Sequence, residues 1–145
     1  MKQSLPPRLA QIVAEFEDCE GREKLELLLD YARRFPPIPA DVRLTETSEE
    51  VPECITPVQM AAKYSGGRLT FYFDVPAESP TVRGYAAIIM EGLNGSTPAE
   101  ILSIPAEFYL SMGLQDALTA QRLNGMAAIL AHIKRRAAEV LQQTG

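Results

Sequence analysis

The sequence predicts an α+β fold in which a small antiparallel sheet of about three strands packs against several helices. Two observations carry that reading. Near the middle of the chain, two runs alternate apolar and polar residues around a glycine pair. On either side of them, apolar residues recur at helical spacing.

The first helix is set by Leu5, Leu9, Ile12, Val13 and Phe16, with Ser4 as its cap and Pro6 and Pro7 in its first turn. Asp18-Cys19-Glu20-Gly21 interrupts it. A second helix follows from Leu25, Leu28, Leu29 and Ala32. It must stop by Pro36-Pro37, because the residue before a proline is driven out of the helical region. Residues 36–50 then read as irregular, polar chain.

The sheet comes next. Val58, Met60, Ala62 and Tyr64 alternate with Gln59, Ala61 and Lys63. After Ser65-Gly66-Gly67, Leu69, Phe71, Phe73 and Val75 alternate with Arg68, Thr70, Tyr72 and Asp74, which makes a hairpin. Residues near 50–53 supply a third strand leading into a bend at Cys54.

The C-terminal half reads as helical. Ser79-Pro80 starts a helix whose stripe of Val82, Tyr85, Ala86, Ile89 and Leu93 ends at Gly95. Thr97-Pro98-Ala99-Glu100 fits a capping box, hydroxyl and carboxylate each satisfying a free amide. Pro105 to Met112 forms a short helix closed by Gly113. Thr119 caps the last and longest helix, on which Leu123, Met126, Leu130, Ile133 and Ala137 share one side. No repeat or boundary divides residues 1–145, so one domain is expected.

Composition narrows the function. The 145 residues are 46% hydrophobic and 23% charged, as in an ordinary soluble globular chain. A net charge of −5 argues against nucleic acid, which needs a concentrated basic surface. The one basic cluster, Lys134-Arg135-Arg136, lies near the end of the last helix and complements its dipole. No apolar run approaches the roughly 18 residues of a membrane span, and Met1 to Pro7 shows neither secretory nor transit character. A cytoplasmic protein without a membrane partner is the expectation.

One histidine and two separated cysteines do not supply a zinc or iron–sulfur site, so no metal is expected. There is no phosphate-binding loop or dinucleotide fingerprint, and Gly66-Gly67 is turn chemistry. His132 lies off the apolar side of the last helix and reads as an exposed surface residue. Cys19 reads as a passive thiol packed partly against the next helix.

Cys54 is different. It sits in Val51-Pro52-Glu53-Cys54-Ile55-Thr56-Pro57-Val58, on a bend between two extended segments. It is either a small side chain filling a gap beneath a loop or a reactive thiol. Glu49, Glu50 and Glu53 oppose its thiolate, and no cation is adjacent in sequence. Such a thiol is a modest nucleophile, slow with small alkylating reagents, until the fold or a docked protein brings a cation close.

At these residues the chain resembles SufE, the sulfur acceptors that serve cysteine desulfurases in iron–sulfur cluster assembly. Leu5-Pro6-Pro7-Arg8-Leu9 and Phe35-Pro36-Pro37-Ile38-Pro39 resemble the family's opening helices and the turn after them. Val51-x-x-Cys54-x-x-x-Val58 resembles its cysteine loop, and Thr81-Val82-Arg83-Gly84 the start of its central helix. Gly95-Ser96-Thr97-Pro98-Ala99-Glu100-Ile101-Leu102, Met112-Gly113-Leu114 and Leu118-Thr119-Ala120-Gln121-Arg122-Leu123-Asn124-Gly125-Met126 resemble its later segments.

The resemblance implies a SufE/IscU-like fold and a persulfide carrier. Cys54 is then the catalytic residue, and Arg122 supports the loop or the docking of a partner. The implied partners are a SufS-type cysteine desulfurase, which carries the pyridoxal phosphate, and an iron–sulfur scaffold complex. The chain itself needs no cofactor and is a monomer or homodimer. The family loop usually reads Gly-Cys-Gln-Ser-x-Val-Trp, whereas here Glu53 precedes the cysteine, Ile55 and Thr56 follow it, and Gln59 replaces tryptophan. Glu78 stands where aspartate is common. These departures fit a divergent member serving a different desulfurase. A partner-binding module with an incidental cysteine is the reading from another class. A cluster scaffold is a third, disfavoured by the shortage of thiolate ligands.

Overall fold

Gly66 and Gly67 both adopt positive φ, 62° and 77°, which a two-residue hairpin turn of the primed type requires and which glycine adopts without strain. The turn fixes the register of β2 (Gln59–Ser65) against β3 (Arg68–Asp74), from Ser65 opposite Arg68 to Gln59 opposite Asp74. On the other side of β2, the two-residue β1 (Glu49–Glu50) pairs antiparallel, Glu50 opposite Gln59. The sheet order is β1-β2-β3. This computed structural model describes residues 5–39, 49–50 and 58–144, the side chains of Glu49, Glu50 and Thr144 excepted. Ser4 and residues 51–53 lie outside that range.

Val58, Met60, Leu69, Phe71, Phe73 and Val75 are buried, as the alternation requires; Tyr64, at the hairpin tip, is exposed. The outer edge of β3 is closed by the chain's own polar groups. Leu69 exchanges main-chain bonds of 2.9 Å with Ser96 and Gly95. The Asn94 side chain then acts as a short strand, accepting from Phe71 N at 2.8 Å and donating to Phe71 O at 3.3 Å. At Leu69 and Phe71 the edge is therefore closed to a foreign strand.

Among the described residues, five α-helices surround the sheet: α1 (Pro7–Glu17), α2 (Arg22–Arg33), α3 (Pro80–Leu93), α4 (Pro98–Leu102) and α5 (Ala120–Thr144). Two 3₁₀ turns, Phe108–Met112 and Leu114–Asp116, join α4 to α5, meeting at Gly113. The expected short helix closing at Gly113 is therefore a 3₁₀ turn. The Thr97–Glu100 capping box forms in both directions, at 2.8 and 3.2 Å.

α3 is the central element, and its buried surface extends well beyond the expected stripe to Thr81, Gly84, Ala87, Ile88, Met90 and Gly92. α1, α2 and β3 pack on it. Two glycines set how closely the helices approach. A Cβ on Gly84 would run into the carbonyl oxygen of Leu28 on α2, and one on Gly92 would lie 2.9 Å from Leu9 Cδ1 on α1.

Two side chains depart from the expected pattern. The most buried residues of α2 are Lys24, Leu28 and Tyr31, while Leu25, Leu29 and Ala32 are only partly covered. Lys24 Nζ donates to Phe16 O at 2.7 Å, satisfying a carbonyl at the end of α1. His132 is buried at 6% exposure, not on the surface. The reason is the width of the covered face of α5. Gly125, Ala128 and Ile129 form a second buried row beside Met126, Leu130, Ile133 and Ala137, and His132 continues that row. Its Nδ1 lies 2.6 Å from Arg135 Nη2.

Candidate functional site

Glu50, Gln59 and Asp74 form a row across one end of the sheet. The chain leaves the described strands at Glu50 and returns at Val58 on that end. β3 exits there too, through Val75 and a turn that leads into α3 at Pro80.

Two arginines converge on this end. Arg83, in the first turn of α3, donates from Nη1 to Val75 O at 2.6 Å. Its guanidinium lies 4.2 Å above the Phe35 ring, a cation–π contact. It thus joins the exit of α2, the exit of β3 and the start of α3. Arg122, in the first turn of α5, donates from Nη1 to Thr81 Oγ1 at 2.7 Å. Thr119 caps that turn weakly, its hydroxyl accepting from Arg122 N at 3.4 Å.

Thr81 is buried, so the contact anchors the first turn of α5 to the first turn of α3. The positive end of the α3 dipole adds to the two guanidinium groups. Chemically, such an end favours an anion: a thiolate, a persulfide or a partner's carboxylate.

Cys54, the expected nucleophile, lies outside the described residues, as do Glu53, Ile55 and Thr56. Arg122 is described: it is exposed, and its guanidinium is tied to Thr81 at the α3 terminus. Glu78 is exposed in the turn between β3 and α3. Sequence reasoning overlooked Arg83 as a site residue. Its signal was present in Thr81-Val82-Arg83-Gly84, but no local pattern says which strand end its guanidinium will meet.

Cys19 sits apart from this end, after α1, with Sγ donating to Glu15 O at 3.4 Å. Its thiol is pushed up from the ordinary value, first by burial and then by the Glu23 carboxylate. Among the described residues, no group of three or more His, Cys, Asp or Glu is placed to hold a metal ion. No described helix is long and apolar enough to cross a membrane.

Comparison with known proteins points one way. A family model described as "SufE: Fe-S metabolism associated domain" matches residues 10–137. An uncharacterized SufE-like protein of Mycobacterium tuberculosis is 42% identical over 138 residues, covering 94% of this chain and 95% of the relative. The SufE-like protein 1, chloroplastic/mitochondrial, of Arabidopsis thaliana is 30% identical over 93% of this chain and 36% of its own longer length. Among solved structures, a hypothetical protein from Thermus thermophilus superposes with a TM-score of 0.83 at 36% identity, covering 96% and 99% of the two chains.

Proposed function

The chain belongs to the SufE family and so takes a sulfur-transfer role in iron–sulfur metabolism, and we infer that it is a persulfide carrier acting through Cys54. In this reading, Cys54 receives sulfur from a cysteine desulfurase of the SufS type, stimulates that enzyme, and passes the sulfur to a cluster-assembly scaffold. The pyridoxal phosphate that liberates the sulfur belongs to the desulfurase.

The exchange balances without an external oxidant. The Cys54 thiolate attacks the outer sulfur of the desulfurase persulfide, forming a new S–S bond. The old S–S bond breaks, and the desulfurase cysteine leaves as a thiolate. A cation near the acceptor raises its thiolate fraction and steadies the negative sulfur in transit.

The observation that carries the reading is the Arg122–Thr81 contact. It ties a guanidinium from the last helix to the start of α3, the helix that follows β3 out of the end of the sheet where Glu50 and Val58 stand, each four residues from Cys54. Acidic neighbours alone would leave Cys54 sluggish, and in this reading Arg122 and Arg83 are the cations that would oppose them. Arg122 is a positioning residue in this scheme.

Intact mass after incubation with the desulfurase and cysteine tests it. One added sulfur atom, removable by reductant, is expected on the parent chain and on Cys19→Ser, and none on Cys54→Ser. Absence of the adduct on a chain that binds the desulfurase would leave a binding module as the correct reading.

A further inference from the structure

Beside Arg83 the surface is indented. Leu29, Ala32, Ala77 and Pro80 floor a notch of about 340 Å³ between the end of α2 and the turn before α3, with Arg33 and Arg83 on its rim. That volume sits at the small end of the range for ligand clefts, suited to one bulky side chain rather than a cofactor.

Net charge is −5 overall, yet two guanidinium groups border this apolar floor. Arg83 is held by Val75 O and the Phe35 ring. Arg33 pairs only on the surface, with Asp30, and its side chain keeps 71% exposure. In the chain that follows α2, Pro36, Pro37, Ile38 and Pro39 are exposed. Arg122 stands at the same α3 terminus through Thr81.

We propose that this notch is a docking point for the desulfurase, receiving an apolar side chain from an acidic segment of that enzyme. The inference deepens the carrier reading and rests on it. The apolar floor rewards burial of one side chain, and the arginines select carboxylates beside it. Attraction between the two guanidinium groups and an acidic segment, together with burial of its apolar side chain, sets the pose. The pose matters because the notch shares the α3 terminus with the end of the sheet from which the Cys54 connection leaves. A partner seated there has its sulfur-bearing residue directed toward that end.

The test uses the full chain and the pyridoxal-phosphate-dependent cysteine desulfurase of the same genome, with affinity read by titration calorimetry. Arg33→Glu and Ala77→Trp alter the rim and obstruct the notch at exposed positions. The pair Gln142→Glu and Gln143→Glu, on the exposed end of α5, matches the charge change of Arg33→Glu. Each notch variant is expected to weaken binding at least tenfold at low salt, with the charge-matched control within twofold of the parent. The Arg33→Glu deficit should shrink as salt rises. At saturating desulfurase, both variants should still load Cys54 fully.

Affinity within twofold of the parent for both notch variants, with normal loading, overturns the docking proposal and leaves the carrier reading standing. A parent that binds the desulfurase yet never gains sulfur overturns the carrier reading, and this inference falls with it. Self-association abolished by Ala77→Trp, with desulfurase affinity unchanged, assigns the notch to a second copy of the chain and also overturns the proposal.

Discussion

Arg122 and Thr81 are 41 positions apart in sequence and 2.7 Å apart in space, guanidinium to hydroxyl. The bond ties the first turn of the last helix to the first turn of the central one. Arg122→Ala and Thr81→Val should each lower stability, and their double-mutant cycle should return a coupling of about 1 kcal/mol, the scale of a hydrogen bond with one exposed partner. Urea denaturation of the four proteins measures it. A coupling near zero would mean that the contact holds nothing together. Persulfide loading of Arg122→Ala should slow severalfold, with partial recovery in Arg122→Lys.

Lys24 adds a side-chain donor to the backbone cap that closes α1. Its ammonium reaches Phe16 O from a site that is 8% exposed. Lys24→Met keeps most of the volume and removes one donor to that carbonyl, which still accepts from Cys19 N at 3.1 Å, at a cost of about 1 kcal/mol. Chemical denaturation should show a lower midpoint at an unchanged slope. An unchanged midpoint would show that water replaces the amine freely.

Gly84 is expected to be the least replaceable glycine of α3. Alanine would gain roughly 1 kcal/mol in helix propensity. Its Cβ, however, would press on the backbone oxygen of Leu28, which cannot swing aside as a side chain can. Overpacking of this kind costs about 1–3 kcal/mol and often more against backbone. Gly84→Ala should therefore destabilise more than Gly92→Ala, whose nearest neighbour is the flexible end of Leu9. Thermal midpoints in the opposite order would refute this.

The Glu100 carboxyl is held below the ordinary carboxylate range, first by the Thr97 backbone amide and then by the Thr97 hydroxyl. A lowered folded value means that its stabilisation is present above the unfolded value, about 4.3, and is lost as pH falls through the folded one. Glu100→Gln should therefore melt below the parent near neutral pH and converge with it in acid. Parallel curves down to the lowest pH would contradict the assignment.

Cys19 should be the slower of the two thiols when the desulfurase is bound. Burial and Glu23 hold its thiolate back, so iodoacetamide should modify it more slowly than a model thiol near neutral pH and faster as pH rises. Peptide mapping resolves the two sites. Rapid modification of Cys19 at neutral pH would contradict this.

What the sequence determined by itself was local. Period-2 alternation and Gly66-Gly67 are enough to pair β2 with β3 in one register, since a slip of one residue would turn every apolar side chain outward. Proline, glycine and the Thr97–Glu100 box mark helix ends because each acts on backbone groups within four residues. The order of short motifs identified the family, and with it the interest of Cys54.

Tertiary structure decided the rest. Lys24 on the buried side of α2, and His132 within the widened face of α5, depend on which elements lie against them, and no helical period records that. Arg83 meeting Val75 O and Phe35, and Arg122 meeting Thr81, depend on how chain ends separated by many residues come to one corner. Side-chain hydrogen bonds across such gaps are chosen by packing, because only the folded chain fixes the distance between their partners.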